Sequence, residues 1–154
     1  MVDGFERLTT GVTSIYKSIQ KIKRLRMDSI GLKGTHVMCI YYLYTNPEGL
    51  TGADLCSKCR EDKAGISRIL SDLESACLIC YKNTGDGRKY RAKAVLTEQG
   101  KTCGAKVTRL IEHAAVAGGT GLTDQEREIF YKVLFTISDN LETLCSSIEE
   151  GKSL

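Results

Sequence analysis

The chain has 154 residues, 42% of them hydrophobic, with one proline and a formal net charge of +3. That composition supplies a real core and excludes a disordered chain. No apolar run approaches the roughly 20 residues of a membrane span. The opening residues lack the basic start and apolar stretch of a signal peptide. A cytoplasmic protein is therefore expected, with its seven cysteines held as free thiols.

Phe5, Leu8, Val12, Ile15, Tyr16, Ile19, Ile22 and Leu25 recur at steps of three and four, which predicts a first helix. Lys17, Lys21 and Arg24 repeat on another face of it and read as a solvated surface. A second helix is expected from near Lys33, with Val37, Ile40 and Tyr44 on one side and Leu43 beside them. His36 falls near its start, in a structural role. Asn46-Pro47-Glu48-Gly49 ends it, because proline cannot donate within a helix and glycine permits the turn.

Thr51 then caps a short third helix, with Asp54 completing a capping box and Leu55, Cys56 and Cys59 on the apolar side. The turn Arg60-Glu61-Asp62 leads into a fourth helix, for which Asp62 is a good N-cap. Ile66, Ile69, Leu70, Leu73 and Cys77 form its predicted buried stripe. Two short helices joined by a tight turn, the second with a polar N-terminal face, outline a helix-turn-helix.

The period then changes. Leu78 to Lys82 reads as a strand, Asn83 to Gly87 as a turn cluster, and Tyr90 to Leu96 as an alternating second strand. Thr97 opens a fifth helix, which the glycine-rich stretch from Ala117 to Gly121 breaks. Thr123 and Glu126 form a second capping box. It starts a long last helix with Phe130, Val133, Leu134, Ile137, Leu141, Leu144, Cys145 and Ile148 on one face. The first and last helices carry more apolar surface than so small a chain can cover, which predicts a homodimer.

Charge concentrates in the hairpin. From Lys82 to Lys93 there are five cations (Lys82, Arg88, Lys89, Arg91 and Lys93) against one acid, Asp86, a local net charge of +4. A basic hairpin suits the phosphate backbone and the minor groove, where Arg is favoured. On the fourth helix Lys63, Ser67 and Arg68 occupy the first two turns, the part of a helix-turn-helix that reaches base edges in the major groove. Arg68 can offer two hydrogen bonds to one guanine. Thr51, Arg88, Lys89 and Arg91 complete the predicted DNA-contact set.

The run from Asp62 to Gly100, with DKAGISRILSDLESACLI, a turn holding Asp86 and Arg88, and then VLTEQG, resembles the MarR family of multiple antibiotic resistance regulators. The order of helices and hairpin is similar across the whole chain. Ala64 and Gly65 stand where relatives often carry Ser and Thr. The resemblance implies a mainly α fold with a small β-hairpin wing, a winged helix-turn-helix flanked by N- and C-terminal dimerisation helices. In residue terms the DNA-binding lobe would span 32–97 and the helical dimer body 1–31 and 98–154. It further implies a homodimer on a near-palindromic site in duplex DNA. Such a dimer would be a repressor released by a small aromatic ligand or by cysteine oxidation. Tyr16, Tyr41 and Tyr44 are the candidate effector-pocket residues, although tyrosines so placed more often pack half-buried with the hydroxyl outward.

Cys56-x2-Cys59 and Cys77-x2-Cys80 have the spacing of a four-cysteine zinc site, so the second function considered is a metal or redox sensor built on these four. Their predicted places argue against a metal. Two lie on the core side of a helix, one at the end of the next helix and one in a strand, where free cysteine packs as a small hydrophobe. There is no phosphate-binding glycine loop, no HExxH and no GxSxG. The sequence therefore reads as a regulator and not an enzyme, with no cofactor.

Overall fold

The computed structural model describes residues 2–27, 32–82 and 92–151. Six helices and one antiparallel strand pair follow in chain order among these: α1 (Val2–Met27), α2 (His36–Thr45), α3 (Gly52–Cys59), α4 (Lys63–Ser75), β1 (Ile79–Lys82), β2 (Lys93–Leu96), α5 (Glu98–Gly118) and α6 (Asp124–Glu149). The chain divides into two compact units, 1–112 and 113–154. No helix among the described residues is long and apolar enough to cross a membrane.

The core of the first unit forms where α2, α3, α4 and the hairpin meet. Ile40, Leu43, Leu55, Ile66 and Leu73 are its largest fully buried side chains. On α2 the buried set is His36, Val37, Cys39, Ile40 and Leu43. Tyr44, expected within that stripe, lies at its edge with 39% of its surface exposed. A turn over Lys33–His36 precedes α2, so the helix starts three residues later than the sequence predicts.

Local chemistry sets the helix ends. Thr51 Oγ1 accepts from the Asp54 N–H (3.2 Å) while the Asp54 carboxylate accepts from the Thr51 N–H (2.8 Å), satisfying two orphan donors at once. At α4, Asp62 Oδ1 accepts from the Gly65 N–H at 2.6 Å. The α4 stripe of Ile66, Ile69, Leu70 and Leu73 is buried as expected, but Cys77 is not part of it. The helix stops at Ser75, and Cys77 turns to φ +56°. The Leu78 N–H then reaches the Leu73 carbonyl and the Cys77 N–H reaches that of Glu74, both at 2.9 Å. These two bonds are a Schellman closure, which ends a helix by satisfying its last carbonyls and here leaves Cys77 exposed.

β1 pairs with β2 in the register Ile79↔Leu96 to Lys82↔Lys93. Ala92, Ala94 and Leu96 face inward and Lys93 outward, in keeping with period two; Val95 is buried as well. Leu50 adds a bridge to Ala94, through N–H to carbonyl contacts of 3.1 and 2.9 Å, and so ties the α2–α3 connection to the base of the hairpin. Thr97 joins the hairpin to α5. Its hydroxyl donates to the Cys77 carbonyl (2.8 Å) and accepts from the Gly100 N–H (3.0 Å).

In the second unit Thr123 and Glu126 form the predicted capping box of α6. No residue of α6 is buried, and Phe130, Val133, Leu141, Leu144 and Ile148 are all exposed. The same holds for the stripe of α1, where Phe5, Val12, Ile15, Ile19 and Leu25 are exposed.

Candidate nucleic-acid interface

The α3–turn–α4 pair presents the N-terminal half of α4 to solvent. Lys63, Ser67 and Arg68 are all exposed there, opposite the buried Ile66, Ile69, Leu70 and Leu73. The Arg68 Nε–H donates to the Ala64 carbonyl at 3.2 Å, which lays the side chain back along its own helix. Thr51 sits at the N-cap of α3, and its hydroxyl is engaged with Asp54 at 2.7 Å. Arg88, Lys89 and Arg91 lie outside the described residues; Lys82 and Lys93, at the hairpin base, are both exposed. Lys82 approaches the Glu48 carboxylate at 3.6 Å.

α4 is fixed against α2 by a polar clasp. Asp72 Oδ2 accepts from Lys33 Nζ at 2.7 Å and meets His36 Nε2 at 3.2 Å. His36 Nδ1 accepts from the Lys33 N–H at 3.3 Å, which places the ring proton on Nε2, facing the carboxylate. His36 is 3% exposed. Burial lowers its pKa against the opposing pull of Asp72, so the neutral ring is favoured. Hydrogen bonds from Lys33 and His36 hold the Asp72 carboxyl below the usual carboxylate range. His36 is thus structural, as its place in the sequence suggests, and the clasp orients the candidate reading helix.

The three candidate effector tyrosines are not brought together. Tyr16 lines a groove of about 630 Å³ with Lys17, Lys21, Arg24 and Lys33. Tyr41 packs against the core, its ring centroid 5.4 Å from that of Tyr42. Tyr44 lies over Gly104 of α5. The cations of α1, read from the sequence as a solvated face, thus form one wall of that groove.

Nor do the four spaced cysteines gather. Among the described residues no group of three or more His, Cys, Asp or Glu side chains is arranged to hold a metal ion. Cys77 and Cys80 are exposed. Cys59 instead meets Cys39, with the two Sγ atoms 3.5 Å apart. Sequence reasoning passed over Cys39, although its steps of three from His36 and four to Leu43 put it on the inner side of α2.

No family profile and no curated protein matches the sequence. Solved structures do match the fold over nearly the whole chain. A putative MarR family transcriptional regulator from Listeria monocytogenes, solved with a 26mer DNA, superposes with a TM-score of 0.75 at 19% identity, covering 95% of this chain and 96% of that one. A MarR family regulator from Neisseria meningitidis gives 0.78 at 18% identity, covering 94% and 97%. One from Methanosarcina mazei gives 0.71 at 17% identity, covering 90% and 92%. The chain has the mainly α, winged-helix fold of these regulators.

Proposed function

We propose that the chain is a sequence-specific, DNA-binding transcription regulator. It works as a cytoplasmic homodimer on a near-palindromic duplex site, and it is a repressor released by a small ligand or by thiol oxidation. The observation that carries this reading is the exposed, cation-bearing N-terminal face of α4, held in a helix-turn-helix beside a basic hairpin. The DNA bound by the Listeria structure of the same fold supports it. Lys63, Ser67 and Arg68 are the base-reading set; Thr51, Arg88, Lys89 and Arg91 grip the backbone and minor groove.

Residues 32–97 act as the reading lobe, with 1–31 and 98–154 as the dimer body. The apolar stripes exposed on α1 and α6 support this division, since about 25 cal/mol per Å² is available for covering them. A small aromatic anion is the effector class suited to Tyr16 and the cations around it.

The test is selection of bound sequences from random duplex DNA, followed by anisotropy titration at several salt concentrations. A recurrent near-palindrome, bound more weakly as salt rises, is expected. Enrichment of no sequence, or affinity indifferent to salt, would overturn the reading. Light scattering at micromolar concentration should report twice the chain mass, and a monomer there refutes the dimer.

A further inference from the structure

The Cys39–Cys59 contact is the one place in the described residues where two thiols meet. The two sulfurs differ in every respect that matters for redox chemistry. Cys39 is fully buried in the middle of α2. Cys59 is the last residue of α3 and partly open to solvent. The Lys23 ammonium of α1 faces Cys59 and favours its thiolate, and the Glu61 carboxylate opposes it. Either thiol can donate in this contact; with the proton on the buried Cys39, the hydrogen bond holds the Cys59 thiol below its usual range, and the same contact, with burial, pushes Cys39 well above. A partly exposed cysteine inclined to ionise, with a second, buried thiol in contact, is the arrangement of an attacking and a resolving thiol.

We propose that Cys39 and Cys59 are a redox-active dithiol that a hydroperoxide converts to an intramolecular disulfide between α2 and α3. The Cys59 thiolate sulfur attacks one peroxide oxygen. The O–O bond breaks, and the departing alkoxide takes a proton to leave as an alcohol, or as water from hydrogen peroxide. Cys59 is then a sulfenic acid, oxidised by two electrons, and the peroxide is reduced by the same two. The Cys39 sulfur next attacks Cys59, the S–O bond breaks, and hydroxide leaves with the Cys39 proton as water. Two thiols and one hydroperoxide thus give one disulfide, one alcohol and one water. A low-molecular-weight thiol reverses the change by exchange.

The disulfide draws the sulfurs from 3.5 Å to about 2.05 Å. That movement falls on the end of α3, one residue before Arg60, whose left-handed φ of 54° starts the turn into α4. Oxidation therefore re-aims α4, a consequence that rests on the DNA-binding function proposed above.

The experiment treats the reduced full-length protein with hydrogen peroxide, blocks remaining thiols, and maps disulfides by peptide mass spectrometry. A Cys39–Cys59 linked peptide should dominate. Cys39→Ala should stop at a Cys59 sulfenic acid that dimedone traps, and Cys59→Ala should leave Cys39 unmodified. Linkage of other cysteine pairs, or a wild-type Cys59 no faster to react than the exposed Cys77, Cys80 and Cys145, overturns the dithiol without relying on any variant folding. In the second arm, oxidised wild-type protein should lose about tenfold or more in affinity for its selected duplex. Reductant should restore it, and the duplex affinity of both alanine variants should be the same before and after peroxide. An oxidised protein that binds DNA as before refutes the coupling to α4. A reduced protein that binds no duplex refutes the proposed function, and the linked peptide alone then decides the dithiol.

Discussion

Two glycines of α5, a turn apart, should respond to the same substitution by different amounts. A Cβ at Gly100 would overlap the Leu78 carbonyl oxygen, a backbone atom at the entry to β1. That oxygen already accepts the Thr97 N–H at 3.0 Å, so yielding to the methyl also weakens a bond. Overpacking of this kind costs about 1–3 kcal/mol, and the strained hydrogen bond about 1 kcal/mol more. The better helix propensity of alanine returns about 1 kcal/mol. Gly100→Ala should therefore destabilise by about 1–3 kcal/mol, or about 2–12 °C in Tm for a chain of this size. At Gly104 the new methyl would fall 2.5 Å from Cδ2, 2.9 Å from Cγ and 3.0 Å from Cβ of Tyr44, a residue 39% exposed, so the atoms that must give belong to a side chain with solvent beside it and not to backbone. There the cost and the propensity gain nearly cancel, and Gly104→Ala should stay within about 1 kcal/mol of the parent. Urea and thermal unfolding at one fixed protein concentration measure both. Equal effects at the two positions, or a Gly100→Ala protein as stable as its parent, would refute the contact with the Leu78 carbonyl as the cause.

Cys77→Gly should stabilise by up to about 1 kcal/mol, because position 77 holds a left-handed φ of 56° that costs a side-chain-bearing residue about that much; a lower urea midpoint would contradict the Schellman closure. Arg68→Lys should keep non-specific DNA affinity and lose about 1–3 kcal/mol of discrimination at one base pair per half-site, since the charge survives and the fork does not. A uniform loss across competitor duplexes would assign Arg68 to phosphate instead. Stability should fall as pH drops through about 6.5, where the unfolded chain protonates His36 before the folded one does, and fall again through the carboxylate range as Asp72 is neutralised. The urea midpoint should be lower at about pH 5.5 than at about pH 7.5, and His36→Gln should flatten that first step; a parent midpoint that rises on acidification has the wrong sign.

The elements that the sequence announced are those whose causes are local. Thr51 with Asp54, Asp62, and Thr123 with Glu126 each act within four residues, and each caps the helix predicted for it. Apolar spacing likewise placed Ile66, Ile69, Leu70 and Leu73 on the inner face of α4. What escaped depends on how distant segments meet. Asp72 and His36 are 36 residues apart and Cys39 and Cys59 are 20 apart, so no periodicity relates them. The zinc-like spacing of the four cysteines was set aside from their predicted places in the sequence, and among the described residues they do not come together as a metal site. Cys77 looked like a continuation of the α4 stripe; only the carbonyls of Leu73 and Glu74, claimed by the residues that follow them, reveal that the helix has already ended. The family resemblance carried the winged-helix fold, and the DNA-contact assignments of Thr51, Lys63, Ser67, Arg68, Arg88, Lys89 and Arg91 await the binding experiments.

The bridge from Leu50 to Ala94 bears on how such a chain can change over generations. With Lys82 paired to Lys93 and Ala94 also bonded to Leu50, the base of the hairpin is held from two sides. A one-residue slip there would turn the buried Ala94 and Leu96 toward water. The spacing between the end of α2 and Leu50 sets where that bridge falls, through the Gly49 N–H that donates to the Asn46 carbonyl at 2.9 Å. A single residue inserted between Asn46 and Leu50 therefore disturbs the end of α2, the bridge and the strand pair together, so length in this connection is far less free to vary than the side chains it carries.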